Sequence, residues 1–542
     1  MSTASIKSLF TATRNCISSY IVGLVSGKNR NAKDILLISA IFSTVFIVIL
    51  SISFGGDSLT YYDYALFMLG EKKDIIMGRN PGFPAILIIT GVTSLNSFKF
   101  LFLLQALMAA LIPVFIYKSA LYINKKFAFW AAIFSIVSLI PYKFIKDTDS
   151  DLPFMFFQFL GIWLCARYFY TKKIHNIYLV SLVSVCMFLL RPSATLLFVV
   201  WFFVLFISAP KKFLHIAISM LIIIGSYIGW FAIKDHFYET PKTRIAYTTG
   251  RFLFHVPYMR GLIIREENGS ASQKLIECVK SDISKYFSPD NPDYNLVETL
   301  GMTNYPPSRF EYFFGRFRGH PDSLSKEIFN NPGLAYLGYL LFTFDCPEVN
   351  NMELLFFRVV YETLKANPVA GIEMYLSYFI AFAIGPQVNY TYAQESAYRI
   401  IYDIPTRFIN LEPGNPAFTK GTLPQSLVKE IQYSFFKNNF VLKILAFANK
   451  IWCRMLFFLR PFVFLGMLFS GITLYRSKHF NLVSLGILTV IYQALVVIFF
   501  ANPLFRYVTH TILIELMICF CGLPTLFEYT RKRLIGSDEK SI

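Results

Sequence analysis

Residues 34–54 read DILLISAIFSTVFIVILSISF, and residues 55–70 continue as GGDSLTYYDYALFMLG. The first run has a single charge, at its start, and neither Gly nor Pro to break a helix. It is long enough to carry an α-helix across about 30 Å of hydrocarbon. The residues before it are polar and basic, with Lys7, Arg14, Lys28, Arg30 and Lys33. That flank sets the start of the run in the cytoplasm, and the run is too long for the core of a cleaved signal peptide. The chain then emerges on the outer face at Gly55-Gly56-Asp57. From there Leu59, Tyr62, Leu66 and Leu69 recur at helical spacing with Asp63 on another face, which predicts an amphipathic helix on the membrane surface.

The rest of the chain repeats this grammar. Of 542 residues 55% are hydrophobic and only 15% charged, too few charges to cover a soluble protein of this size. After the turn Gly78-Arg79-Asn80-Pro81-Gly82-Phe83-Pro84 comes a short apolar run, Phe83–Leu95. A full span is expected at Phe98–Tyr117, and further crossings, several shorter than about 20 residues, at Phe127–Ile140, Leu152–Tyr170, Ile177–Leu190, Ala194–Ser208 and Phe213–Ile233. Lys125-Lys126, Lys172-Lys173 and Lys211-Lys212 all fall on turns of cytoplasmic parity, whereas the acidic turn Asp147-Thr148-Asp149-Ser150-Asp151 falls outside. The formal charge of +18 therefore reports topology, and nucleic acid is not an expected partner.

Residues 234–450 are rich in Pro, Gly, Asn and charge and are long enough for a folded external domain. Val369–Ile384 within them is apolar and reads as a membrane-surface or buried helix. Three more spans follow at Trp452–Tyr475, Leu482–Phe500 and Val508–Phe527. The expected architecture is all-α and polytopic: a cytoplasmic tail (1–33), a seven-span module (34–233), a mainly helical external domain (234–450), three final spans (451–530) and a cytoplasmic tail (531–542). Charges are expected at span ends. Of eight cysteines, only Cys278 and Cys346 lie in the long polar segment, where they form either a disulfide or two free thiols. No Cys/His cluster, phosphate-binding loop, zincin motif, nucleophile elbow or dinucleotide fingerprint is present.

Asp57 is the leading candidate for chemistry. It is the first acidic residue after the first span, at the membrane–water boundary, where a carboxylate could take a proton from an acceptor hydroxyl. Asp is equally a favoured helix N-cap, and the two roles are compatible.

GGDSLTYYDYALFMLG followed by GRNPGFPAIL resembles the first external loop of membrane glycosyltransferases of the C-type fold (GT-C). It is most similar to the superfamily of dolichyl-phosphate-mannose protein mannosyltransferases and aminoarabinose transferases. Arg191-Pro192-Ser193-Ala194-Thr195 is similar to the family's Arg-Pro-Thr-Ala, and Arg506-Tyr507 to its Arg-Tyr near the C-terminus. The resemblance covers residues 34–235 and the last hundred; the long loop departs from the compact C-terminal domains of many members, which leaves the acceptor open.

The resemblance implies sugar transfer, with inversion, from a polyprenyl-phosphate donor to an acceptor hydroxyl on the external face. Asp57 would be the general base, with Asp63 as the alternative. A cation must then steady the departing lipid phosphate, and Arg binds phosphate in a bidentate way. Arg191, Arg506, Arg79 and Lys143 are the candidates, with Lys146 beside them; each also suits an interface anchor. Asp149 or Asp151 forms a second acidic site placing acceptor or donor, with Tyr507 near it. No cofactor is implied, though Asp57, Asp149 and Asp151 could together hold a divalent cation. His510, one turn beyond Arg506, could face the phosphate or be structural.

The acceptor could be a protein, a lipid or a glycan. Abundant Lys and Phe and compact loops point to a bacterial inner membrane, with the site on the periplasmic side. Two other classes remain: an O-antigen polymerase or ligase, and a lipid or sugar transporter.

Overall fold

The computed structural model describes residues 31–50, 52, 56–72, 80–237, 253–254, 257–258, 264–286, 349, 351–384, 423–436, 455, 458–472, 474–475, 477, 479–500 and 505–534. Among these residues the regular elements are helices, and there is no strand. The N-terminal half holds α1 (Ala32–Ile49), α2 (Gly56–Met68), α3 (Gly82–Ile89), α4 (Lys99–Ala120), α5 (Ala128–Val137) and the one-turn α6 (Ile140–Lys143). α7 (Asp151–Thr171), α8 (His175–Leu190), α9 (Leu197–Ser208) and α10 (Phe213–Phe237) follow. The long segment supplies α11 (Ser270–Tyr286), α12 (Met352–Ala366), α13 (Pro368–Ile384) and α14 (Gln425–Phe436). The chain closes with α15 (Phe458–Ile472), α16 (Phe480–Phe500) and α17 (Phe505–Leu534).

α1 begins with a reciprocal cap: the Asn31 side chain accepts from the amides of Lys33 and Asp34, and Asp34 accepts from the amide of Asn31. That arrangement satisfies donors a helix start otherwise leaves open.

Among the described residues four stretches are long and apolar enough to cross a membrane: Lys99–Ala120, Asp151–Thr171, Pro210–Trp230 and Phe480–Phe499. Five further apolar helices are shorter, among them His175–Leu190 and Leu197–Ser208. At about 1.5 Å per residue these reach less than a full hydrocarbon thickness. Large apolar side chains point outward from α10, with Leu214, Leu221 and Ile228 each more than 60% exposed. A face of that kind suits lipid rather than water.

The bundle is built around α4, which packs on α1, α5 and α7; α8 packs on α7 and α10, and α16 on α9, α13 and α17. One glycine decides a close approach. A Cβ at Gly161 of α7 would stand 2.2 Å from the Trp201 ring of α9, so only Gly admits that indole. Trp201 is buried and donates Nε1–H to Thr489 of α16 at 3.0 Å. At the other end Asn124 donates to Thr525 of α17, again linking the two halves.

Two elements gain detail and one expectation changes. α2 buries Tyr61, Tyr62, Tyr64 and Ala65, with Leu66 partly buried against the same cluster, while Leu69 is exposed. α13 lies against the bundle through Tyr378 and Phe382, with Tyr375 and Phe499 rings 4.9 Å apart, and exposes Val369, Ile372 and Leu376. Charges also occur away from span ends: Arg460 of α15 and Glu515 of α17 are fully buried and paired at 3.2 Å, and Arg460 donates to Thr511. Arg460 and Glu515 are the lone Lys, Arg, Asp or Glu of the apolar stretches Phe458–Ile472 and His510–Thr525, and only tertiary packing brings the two together.

The long segment is described in pieces. α11 packs on α12, where the Glu362 carboxylate accepts from the amides of Ala271 and Ser272 and from the Ser272 hydroxyl. Cys278 is disulfide-bonded, which decides between the two sequence readings for that residue; Cys346 lies outside the described residues.

Candidate functional site

The site forms where α7 begins and α8 ends. Asp151 opens α7, and the chain before it turns at residues 144–146 and bends at Asp149 and Ser150, following the left-handed Leu139 (φ 60°) and α6. α8 stops at Leu190 because Pro192 can donate no amide hydrogen and biases Arg191 to an extended conformation. Arg191 has φ −145° and ψ 131°, and its side chain turns back onto α7.

Its guanidinium meets three side chains. Nη2 lies 2.7 Å from Asp151 Oδ1, and Nε donates to Ser150 Oγ at 3.0 Å. His510 Nε2 from α17 stands 3.4 Å from Arg191 Nη1 and 3.6 Å from Asp151 Oδ1. Phe154, one turn along α7, covers both side chains. Its ring is 5.2 Å from the His510 ring, edge to face, and 5.7 Å from Arg191 Cζ. Asp151 and His510 are sealed, and Arg191 is nearly so. A buried pair of this kind holds its geometry because either charge alone would be costly in that environment.

The break after Arg191 is itself held. Tyr492 of α16 donates to the carbonyl of Ser193 and accepts from the amide of Leu196. On the other side, Asn80 Nδ2 donates to the carbonyl of Phe188 at 2.6 Å. In an uninterrupted helix that carbonyl would take its hydrogen from residue 192, which is proline. Gly82 lets α3 approach this point, since a Cβ there would lie 2.7 Å from backbone atoms of Leu189. The Asn-Pro-Gly-Phe-Pro and Arg-Pro-Ser-Ala motifs are thus parts of one contact.

The first-loop helix joins the same place. Ser58 of α2 donates to Asp149 Oδ1 at 3.4 Å, and the Tyr61 hydroxyl shares a hydrogen with Ser150 Oγ at 3.2 Å. Asp57 lies in the first turn of α2, and its side chain is outside the described residues. Asp63 lies further along α2, 2.7 Å from Lys72. Burial raises its carboxyl above the ordinary range, opposed by the hydrogen bond and charge of Lys72.

Lys143 is buried at the end of α6, and Lys146 stands 6.0 Å from the Phe102 ring centroid. Arg506 and Tyr507 lie in the first turn of α17, their side chains outside the described residues, as is Arg79 entirely. Asp147, Asp149 and Asp151 bring carboxylate oxygens within 4.8 Å of one another, a spacing that could hold a hard cation. Arg191 competes for Asp151 there. No family model, curated protein or solved structure matches this chain significantly. The chemistry of the site rests on its own residues.

Sequence reasoning missed one participant. α14, over 350 residues after α2, packs Leu427, Val428 and Ile431 into the cluster formed by Tyr61, Tyr62, Phe83 and Phe98, and Glu430 accepts from the Phe98 amide. Its apolar residues at i, i+1 and i+4 were the available signal.

Proposed function

We propose that the chain is a polytopic membrane glycosyltransferase with the GT-C architecture, transferring a sugar from a polyprenyl-phosphate donor to an acceptor hydroxyl on the external face. The observation that carries this reading is the joining of α2 to the Arg191 cluster through Ser58–Asp149 and Tyr61–Ser150. The helix that carries Asp57 in its first turn thus lies beside a cation-bearing turn, as a base and a leaving-group site must be neighbours.

In this reading Asp57 takes the acceptor proton as the hydroxyl attacks the anomeric carbon. The carbon–oxygen bond to the lipid phosphate breaks on the opposite face, which inverts the configuration. Arg506, and Arg191 in exchange with Asp151, steady the phosphate. Ten spans and a cytoplasmic N-terminus accompany it, with a bacterial inner membrane as the location. The disulfide at Cys278 supports an oxidising, external side for the long segment, and α14 gives that segment a route to influence acceptor choice.

Turnover of a panel of polyprenyl-phosphate sugars by purified protein tests the proposal. Release of polyprenyl phosphate by wild type, lost in Asp57→Asn with the fold intact, is expected. No release from any donor would overturn it.

The buried Arg460–Glu515 pair favours a second reading, a transporter, because ionisable pairs inside a membrane often mark a transport path. Substrate uptake into proteoliposomes, abolished by Glu515→Gln, would support that reading instead.

A further inference from the structure

α4 and α7 run side by side, and the groove between their outward faces is floored by aromatic rings. Phe115 stacks on Trp163 at 5.5 Å and meets Phe156 at 5.6 Å. On α7 the partly exposed residues Phe156, Leu160, Trp163 and Arg167 follow one another at three- and four-residue spacing, one continuous face of the helix. The face is apolar until its last member. Arg167 lies sixteen residues beyond Asp151, about 24 Å along the helix and so at the opposite membrane interface.

There the groove opens into a cleft of about 430 Å³ lined by Lys118, Leu121, Tyr122, Lys125, Trp163 and Arg167. Lys118 Nζ lies 4.9 Å, and Arg167 Cζ 5.8 Å, from the centre of the Trp163 ring. The indole therefore holds two cations, and a third comes from the turn after α4. No carboxylate lines this cleft, and Lys118, Lys125 and Arg167 form no ion pair among the described residues. The wall behind them is stiff: Tyr122 stacks on Tyr170 at 4.4 Å, and Tyr170 and His479 both bond the Tyr122 carbonyl. Three cations gathered around a fixed cleft with no carboxylate in its described lining repel one another, and an anion among them removes that cost.

We infer that this cleft binds one anionic phospholipid, with its phosphate among Lys118, Lys125 and Arg167 and an acyl chain along Phe156 and Leu160. A basic cleft between membrane helices suits an anionic head group, and the apolar groove running from it selects a lipid over a free phosphate. The inference is independent of the reaction proposed above, because it uses the other end of the bundle.

The experiment is native mass spectrometry of the delipidated full-length protein with phosphatidylglycerol, phosphatidylcholine of the same chains, or inorganic phosphate. Phosphatidylglycerol should bind on the order of tenfold more tightly than phosphatidylcholine, and equimolar inorganic phosphate should not displace it. Lys118→Gln/Arg167→Gln should abolish the preference, whereas Lys211→Gln/Lys212→Gln should keep it. Should the double variant fail to fold, Lys125→Gln, at an exposed position, must show a smaller loss of the same kind. Equal binding of the two lipids, displacement by phosphate, or a preference unchanged in the folded variants would overturn the inference.

Discussion

Arg191 and Asp151 meet at 2.7 Å, joining the end of α8 to the start of α7, and His510 of α17 closes on both. Three chain segments separated by up to 359 positions share one buried polar cluster (Asp151 to His510). Asp151→Asn should remove the carboxylate that Arg191 meets at 2.7 Å in a buried setting, at a cost of about 3 kcal/mol. Arg191→Gln should cost a similar amount, and the double variant less than the sum of the two. Thermal unfolding in detergent, analysed as a double-mutant cycle, measures the coupling, and additive losses would contradict it.

Asn80→Ala removes the donor that the Phe188 carbonyl receives. The expected loss is about 1–3 kcal/mol, the cost of an unmade buried hydrogen bond. Because Phe188 lies three residues before Arg191, any donor turnover should fall with it. A stability equal to wild type would show that water replaces the amide.

Gly161→Ala drives a methyl group into the Trp201 ring. Over-packing of this kind costs about 1–3 kcal/mol, and the indole must shift from Thr489. A lowered melting temperature together with a changed tryptophan emission is expected; a silent substitution would mean that Trp201 has room to move.

Glu362 tests the long segment. Burial pushes its carboxyl up, but the hydrogen bonds from Ser272 and from the Ala271 and Ser272 amides outweigh it, and the pKa falls below the ordinary value. A depressed folded pKa means the contribution is present above the unfolded value and lost as pH falls through the folded one. Protection of the α11 amides, relative to their intrinsic exchange rate at each pH, should therefore fall on acidification below the ordinary carboxylate range. Glu362→Gln should remove that dependence while quickening exchange at neutral pH.

Much of the fold was legible because hydrophobic length is a local property. Lys99–Ala120, Asp151–Thr171 and Phe480–Phe500 lie within a few residues of the runs read from sequence, as lipid-facing helices must satisfy their own backbone. Helix ends were legible where the chemistry is also local, as with Pro192 stopping α8. Asp57, Asp149, Asp151 and Arg191 could be singled out by type and by position at a boundary.

Partnership could not be read in this way. Nothing local says that Arg191 pairs with Asp151, that Asn80 serves Phe188, that α14 covers Tyr61 and Tyr62, or that Arg460 and Glu515 neutralise each other inside apolar runs. Sequence by itself determined which segments are helical, how apolar they are and where their charges fall, since these follow from side chains acting within one or two turns. Tertiary structure alone decided which charges meet. An ion pair or side-chain hydrogen bond acts over a few ångströms in space, and chain separation carries no information about that distance.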